Sequence, residues 1–369
     1  MQTAAKPKKR IFYFDALRAL AIICVMLIHI FSRRDAFVFA EYSAMPSINW
    51  FIAAFSDNFF RIGVDLFLML SGALSLGRQW EIRLFLGKRL PRIILPFIFW
   101  GFVLSSTLIL MQYFAPSFIH VIKAFTFENI INYIVGAWRA QSIFTSYWFF
   151  WMILGTYFAM PIINKWLLHS DLKEAEYFLI FWLITCIFDY TLKIAFPVQL
   201  SFFMSPLGLV VLGYYLRHTK RKIFNNLYFP VLLIILSAVV EVYLSYCFSS
   251  TQSIHYFDRY SIVMAVEVIG VFLLFRNLDE KKVLHNKVPE KLSSIFKKAV
   301  GSIASYSYGI YLIHTSVLFV VTCFLKYFGL YNRFKLDVFL MFVFGLLICW
   351  LIMALLSRVK YVNRVIGAK

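Results

Sequence analysis

Apolar residues in this chain come in long uninterrupted runs, not in strict alternation or one-sided helical stripes. Ten runs can be drawn, at 11–31, 59–77, 93–114, 147–165, 176–196, 198–216, 228–248, 259–275, 303–325 and 336–356. Most approach the roughly 20 residues that a helix needs to cross a bilayer. A membrane barrel would instead show ten-residue alternating segments. The pattern therefore predicts an all-α, polytopic transmembrane protein with about ten spanning helices, each satisfying its own backbone hydrogen bonds. The fifth and sixth runs are parted only by a tight turn near Pro197, and the short eighth run contains Glu267. The 115–146 connection has room for a short amphipathic or re-entrant helix.

Composition agrees with this reading. The chain of 369 residues is 62% hydrophobic, 20% aromatic and only 15% charged, where a soluble domain has nearer a quarter charged. A net charge of +19 would suggest nucleic acid in a soluble protein. Here the basic residues lie between apolar runs, so a lipid bilayer is the expected partner and nucleic acid is not. With the N-terminus inside, the inner connections collect Lys6, Lys8, Lys9 and Arg10, then Arg78, Arg83, Lys88, Arg89 and Arg92. Arg217, Lys220, Arg221 and Lys222 follow, then the basic 276–302 loop, then Arg358, Lys360, Arg364 and Lys369. About 26 basic residues fall inside and about 10 outside, which makes both termini cytoplasmic. No linker leads to a second globular part. One membrane-embedded domain over 1–369 is expected, with a basic N-terminus at 1–10 and a basic tail at 357–369. The first run is too long for a signal-peptide core and has no A-x-A exit, so it reads as an uncleaved span. Cys24, Cys186, Cys247, Cys323 and Cys349 all sit in or at the ends of apolar runs without a CxxC pair. They read as small buried hydrophobes, not a disulfide framework or metal site.

Ionisable residues inside such runs are expensive and mark a reaction site or pathway by default. The first run carries Arg18 and His29; eleven residues at 1.5 Å each put them about 16 Å apart, half the hydrocarbon thickness. His29, toward the outer half, can act as a base or be acylated itself; a histidine bonded to a neighbouring helix at the interface is the alternative. In the second run, RIGVDLFLMLSG, Asp65 lies at similar depth and could orient the imidazole, or it could simply pair with Arg61 one turn away. Ser71 and Gly72 lie deeper and also suit helix packing. Arg18 has the fork geometry for an anionic ligand entering from the cytoplasm, with snorkelling as the alternative. Arg89 and Arg92, in GKRLPRIILP before the third span, share a helical face. Tyr147, Trp148 and Trp151 begin the fourth span as an aromatic belt or as a platform for a sugar ring. The ninth holds Ser305, Tyr308 and Tyr311 ahead of His314, which sits mid-membrane and needs a partner. His120, His169, His218, His255 and His285 lie in loops or near run ends and take no assignment.

Together these residues resemble the acyltransferase-3 family of integral-membrane acyltransferases. The resemblance rests on Arg18 and His29 in FDALRALAIICVMLIH, on VDLFLMLSG with Asp65, Ser71 and Gly72, and on the Arg89-x-x-Arg92 pair. The stretch YWFFWMILGTYFAMPII and the late SYGIYLIH complete an ordered set spread from residue 11 to about 314. Ser146 and Tyr147 stand where relatives often have His-Leu ahead of the tryptophan.

The resemblance implies a stand-alone enzyme, without an appended SGNH hydrolase-like domain, in a bacterial cytoplasmic membrane. It implies transfer of an acyl group, usually acetyl, from cytoplasmic acyl-CoA (acetyl-CoA) to a hydroxyl of a glycan or lipid-linked sugar such as an O-antigen or exopolysaccharide precursor. His29 and Asp65 then become the catalytic candidates, and Arg18, Arg89 and Arg92 the candidates for the donor's phosphates. Ser71, Tyr147, Trp148 and His314 become weaker substrate-binding candidates. No metal is called for, since a thioester is already activated. A transporter or flippase of a glycan precursor is the rival reading; it would favour inverted repeats and helices broken at the midplane, neither of which is legible in the sequence.

Overall fold

The computed structural model describes residues 11–40, 48–139, 147–194, 203, 206–247, 258–283, 289–331 and 333–368, without the side chains at 32–40, 50, 51, 53, 54 and 57. The basic segment 1–10, the turn near Pro197, Ser146, His255, His285 and Lys369 lie outside the described residues. Every regular element among those described is helical.

Twelve α-helices are present among the described residues. They are α1 (Phe12–Ala40), α2 (Ile48–Phe59), α3 (Ile62–Ser75), α4 (Ile82–Phe114), α5 (Phe127–Trp138) and α6 (Trp148–His169). Then come α7 (Leu172–Thr185, continued by a π-helical stretch Cys186–Leu192), α8 (Leu207–His218), α9 (Tyr228–Cys247), α10 (Ile262–Glu280), α11 (Glu290–Tyr327) and α12 (Phe334–Leu356). Among the described residues, six spans are long and apolar enough to cross a membrane: Phe12–Phe31 within α1, α4, Leu172–Leu192, α9, α11 and α12. The other apolar runs fall short of that length or apolarity for physical reasons. The second run is carried by α3, which has only 14 residues. The described part of the sixth is only the 12 residues of α8. The α10 helix carries Glu267, Arg276, Asp279 and Glu280, and α6 draws on Trp and Tyr, which prefer the membrane interface to hydrocarbon. The 115–146 connection holds α5, capped by Thr126, whose side chain accepts from the N–H of Asn129.

A connected set of hydrogen bonds marks one end of the bundle. The N–H of Tyr13, at the start of α1, donates to Asp279 at the end of α10 (3.2 Å). Arg276, buried on α10, donates to the carbonyls of Leu216 and Phe224 and to the Asn225 side chain, while Asn277 donates to the carbonyls of Phe224 and Asn226. Arg221 and Tyr215 both donate to Glu176 at the start of α7. Arg217 donates to the carbonyl of Ala73 at the end of α3, and the turn that follows is clamped by Asn164 of α6, through Gly77 N–H (2.8 Å) and the Arg78 carbonyl (3.0 Å). Tyr308 of α11 donates to the carbonyl of Ile93 on α4 (2.7 Å). Arg217, Arg221 and Arg276 all take part at this end.

The interior is built around α1 and α11, the most buried of the long helices, while α9 and α12 are peripheral. The peripheral helices turn Leu232, Ile235, Val239, Phe339, Leu347 and Leu355 outward, an apolar surface that a bilayer covers. At the centre, α3 and α8 meet almost backbone to backbone. A methyl group at Gly72 would lie 1.8 Å from the Val210 carbonyl oxygen, and one at Gly213 would lie 2.0 Å from that of Met69. Lipid supplies no hydrophobic drive for helices to associate, so small residues that allow such contact are what holds them. The α4 helix carries Pro91 and Pro96 within its length, and each removes one N–H from the intrahelical ladder.

Candidate active site

A cavity of about 770 Å³ opens between α1, α3, α4, α6, α11 and the chain after α12. Arg18, Ser71, Arg89 and Arg92, all singled out in the sequence, line it together. They get there by different routes. Arg18 lies one turn into α1 from Asp15, which holds it at 3.0 Å. Arg89 and Arg92 lie in the polar first turns of α4, a helix that starts ahead of the 93–114 run. Arg89 is fixed by a hydrogen bond to Ser75 Oγ (3.0 Å), and Ser71 turns its hydroxyl back onto the Phe67 carbonyl (2.9 Å). Just outside the membrane segments, burial and then the neighbouring cations Arg217 and Arg89 pull Arg78 below the ordinary arginine value. Cations packed closely enough to repel one another make a ready site for an anion.

Deeper along α11 the lining turns to tyrosine. Tyr308 and Tyr311 line the cavity with Tyr157 and Phe149, and the Tyr308 and Tyr311 rings stack at 6.2 Å. The hydroxyl of Tyr311 meets the backbone N–H groups of Phe149 and Phe150 at the start of α6. One turn on, the ring of His314 lies 5.9 Å from that of Tyr311 and 5.1 Å from that of His29. His314 is fully buried, and its Nδ1 lies 2.6 Å from the Tyr311 carbonyl oxygen. A carbonyl only accepts, so Nδ1 carries the proton of this bond. The two histidines, on α1 and α11, thus stand side by side beyond the inner end of the cavity.

The expected orienting bond from Asp65 to His29 is not present. Asp65 is fully buried, and its two carboxylate oxygens accept no hydrogen bond among the described residues. The charge that acts on it most strongly is Arg259, whose guanidinium lies 3.9 Å from the centre of the Trp148 ring. Tyr147 is completely buried, against Phe97 (5.1 Å between ring centres), and not part of an interfacial belt. Trp148 and Trp151 are exposed.

A family model described as an acyltransferase domain, that of the acyltransferase-3 family, matches residues 11–354. The chain belongs to the acyltransferase-3 family. No curated protein and no solved structure matches it. As a member of an acyltransferase family with six apolar helices long enough to cross a membrane, it is an integral-membrane acyltransferase that takes an acyl donor and an acceptor. Sequence reasoning passed over Tyr157, Arg259 and Arg364. Arg259 stands ahead of an apolar run, where a cation reads as topology, and Arg364 sat in a tail given no structural part.

Proposed function

We propose that this acyltransferase is an O-acyltransferase, acetyl by preference, that takes its acyl group from cytoplasmic acyl-CoA. The acceptor is a hydroxyl of a cell-surface or lipid-linked glycan, and the setting is the bacterial cytoplasmic membrane. In this reading the chain passes back and forth ten times, with the arginine-rich end and both termini in the cytoplasm. The observation that carries it is the single cavity joining Arg18, Arg89 and Arg92 at that end to a tyrosine lining that leads toward His29 and His314. Arginine forks bind phosphate bidentately, and an apolar, aromatic passage suits an acyl-pantetheine arm.

His29 is the general base. Its imidazole takes the proton of the acceptor hydroxyl as that oxygen attacks the thioester carbonyl. The C–S bond then breaks, and the proton passes to the departing thiolate of CoA. His314 holds the His29 ring in place, the part the sequence had given to Asp65. Asp65 acts on the site electrostatically, opposite Arg259. The alternative in which His29 is acylated first uses the same geometry. Purified protein incubated with labelled acetyl-CoA and candidate glycans tests the proposal. Label should appear in the glycan with wild type and not with His29→Ala. Near-normal transfer by a correctly inserted His29→Ala variant overturns the assignment.

A further inference from the structure

The chain does not end at its last helix but returns into the bundle. After α12, Ser357 Oγ lies 3.1 Å from the Tyr306 hydroxyl. Tyr361 takes a left-handed backbone conformation (φ 72°), and a 3₁₀ turn covers Val362–Arg364. Ile366 is then fully buried, and its carbonyl accepts from Trp100 Nε1 on α4 (3.1 Å). Gly367 (φ 81°) lies against α11, where a methyl group would come within 2.9 Å of the Tyr308 ring and 3.2 Å of the Gly309 nitrogen. A mobile basic tail shows neither a buried anchor nor a backbone that only glycine fits. This segment lies beyond residue 354, where the family match stops.

The anchored segment forms one wall of the cavity. Asn363, Arg364, Gly367 and Ala368 line it together with Arg18, Arg89 and Arg92. Four arginines from three separate stretches (α1, α4 and the tail) therefore converge on one mouth. Arg364 is exposed there, as a side chain that meets a ligand has to be. We infer that the C-terminal segment 358–368 is a built part of the donor site, with Arg364 recognising a phosphate of the CoA donor. The inference rests on the acyl-CoA reading above and deepens it by naming a further binding residue. Trp100 and Gly367 are positioning residues that hold the segment against α4 and α11.

The test is equilibrium binding of CoA to the purified full chain in neutral detergent, alongside transfer kinetics. Loss of one charge-assisted hydrogen bond to phosphate weakens binding by about tenfold or more. Arg364→Gln should show that loss for CoA and no change for pantetheine, which has no phosphate. KM for acyl-CoA should rise while kcat holds. Gly367→Val, which displaces the segment without touching a charge, should weaken CoA binding at least as much, and CoA should slow tryptic cleavage after Arg364 in wild type. Unchanged CoA affinity in Arg364→Gln overturns the inference and leaves the acyl-CoA reading standing. So does an equal loss for CoA and pantetheine, which marks a structural role. An effect that appears only when anionic lipid is added reassigns Arg364 to headgroup phosphate and overturns it too. Wild-type protein that binds CoA through Arg364 but transfers no acyl group refutes the enzymatic reading alone; wild type that binds no CoA refutes both.

Discussion

The contact between α3 and α8 gives the sharpest stability prediction. In Gly72→Ala the new methyl carbon would start 1.8 Å from the Val210 carbonyl oxygen, 2.6 Å from its carbon and 2.9 Å from its Cα, where 3.4 Å is ordinary contact. All three atoms are backbone, so no rotamer change relieves the clash. The helices have to part by about 1.6 Å at that point. A radial gap of half that size already forfeits up to half of each dispersion well. We expect a cost at the top of the overpacking range, about 3 kcal/mol. Gly213→Ala, whose methyl would lie 2.0 Å from the Met69 oxygen, should cost about the same. Once one substitution has opened the interface, the second meets little resistance. The double mutant should therefore fall short of additivity by about 1–3 kcal/mol. Unfolding of the three variants in detergent measures this directly. Strict additivity, or a Gly72→Ala variant as stable as wild type, would refute backbone contact between these helices. Ser71 lines the cavity beside Gly72, so acyl transfer should decline in parallel with stability.

Other substitutions separate the roles of the polar residues. Removing the base in His29→Ala should lower the transfer rate by about 10²- to 10⁴-fold without loss of the inserted protein. His314→Ala should follow it, whereas Asp65→Asn should cost less than either, because Asp65 makes no hydrogen bond to His29; single-turnover rates rank the three. Arg89→Ala should weaken acyl-CoA binding with little effect on the chemical step, and an unchanged donor affinity would remove it from the phosphate site. Arg276→Met would leave the carbonyl of Leu216 and the side-chain oxygen of Asn225 without the Arg276 donor and should destabilise the protein by about 3 kcal/mol, read as a lower thermal midpoint; a neutral effect would deny the clamp its structural part.

The residues most legible in the sequence were those whose presence in hydrocarbon needs a reason. Arg18 and His29 stood out because an apolar run offers them nothing, and the structure brings Arg18 to a cavity and His29 to a second histidine. The partner of His29 was harder to read. Asp65 matched it in depth, but depth along an axis says nothing about which face of a helix looks at which neighbour, and α11 turned out to supply the adjacent ring. Apolar runs told where helices lie better than where they begin. The first part of α11, with Lys291, Lys297 and Lys298, looked like a loop because its polar residues hide a helical continuation. The tail was opaque for a different reason: its anchor is a contact between Trp100 and Ile366, and no local pattern encodes a meeting of residues so far apart in the chain.

Pro91 and Pro96 have a mechanical consequence. The two missing N–H groups leave the carbonyls of Gly87 and Arg92 without their intrahelical donors, so α4 is softest over the stretch that contains Arg92 and adjoins Arg89. The histidines, in contrast, ride on α1 and α11, the most deeply packed of the long helices. Bending α4 would move two of the arginines at the mouth while leaving the reacting groups still. Compliance in this molecule is thus concentrated where a spent carrier has to leave, and stiffness where a bond has to be exchanged.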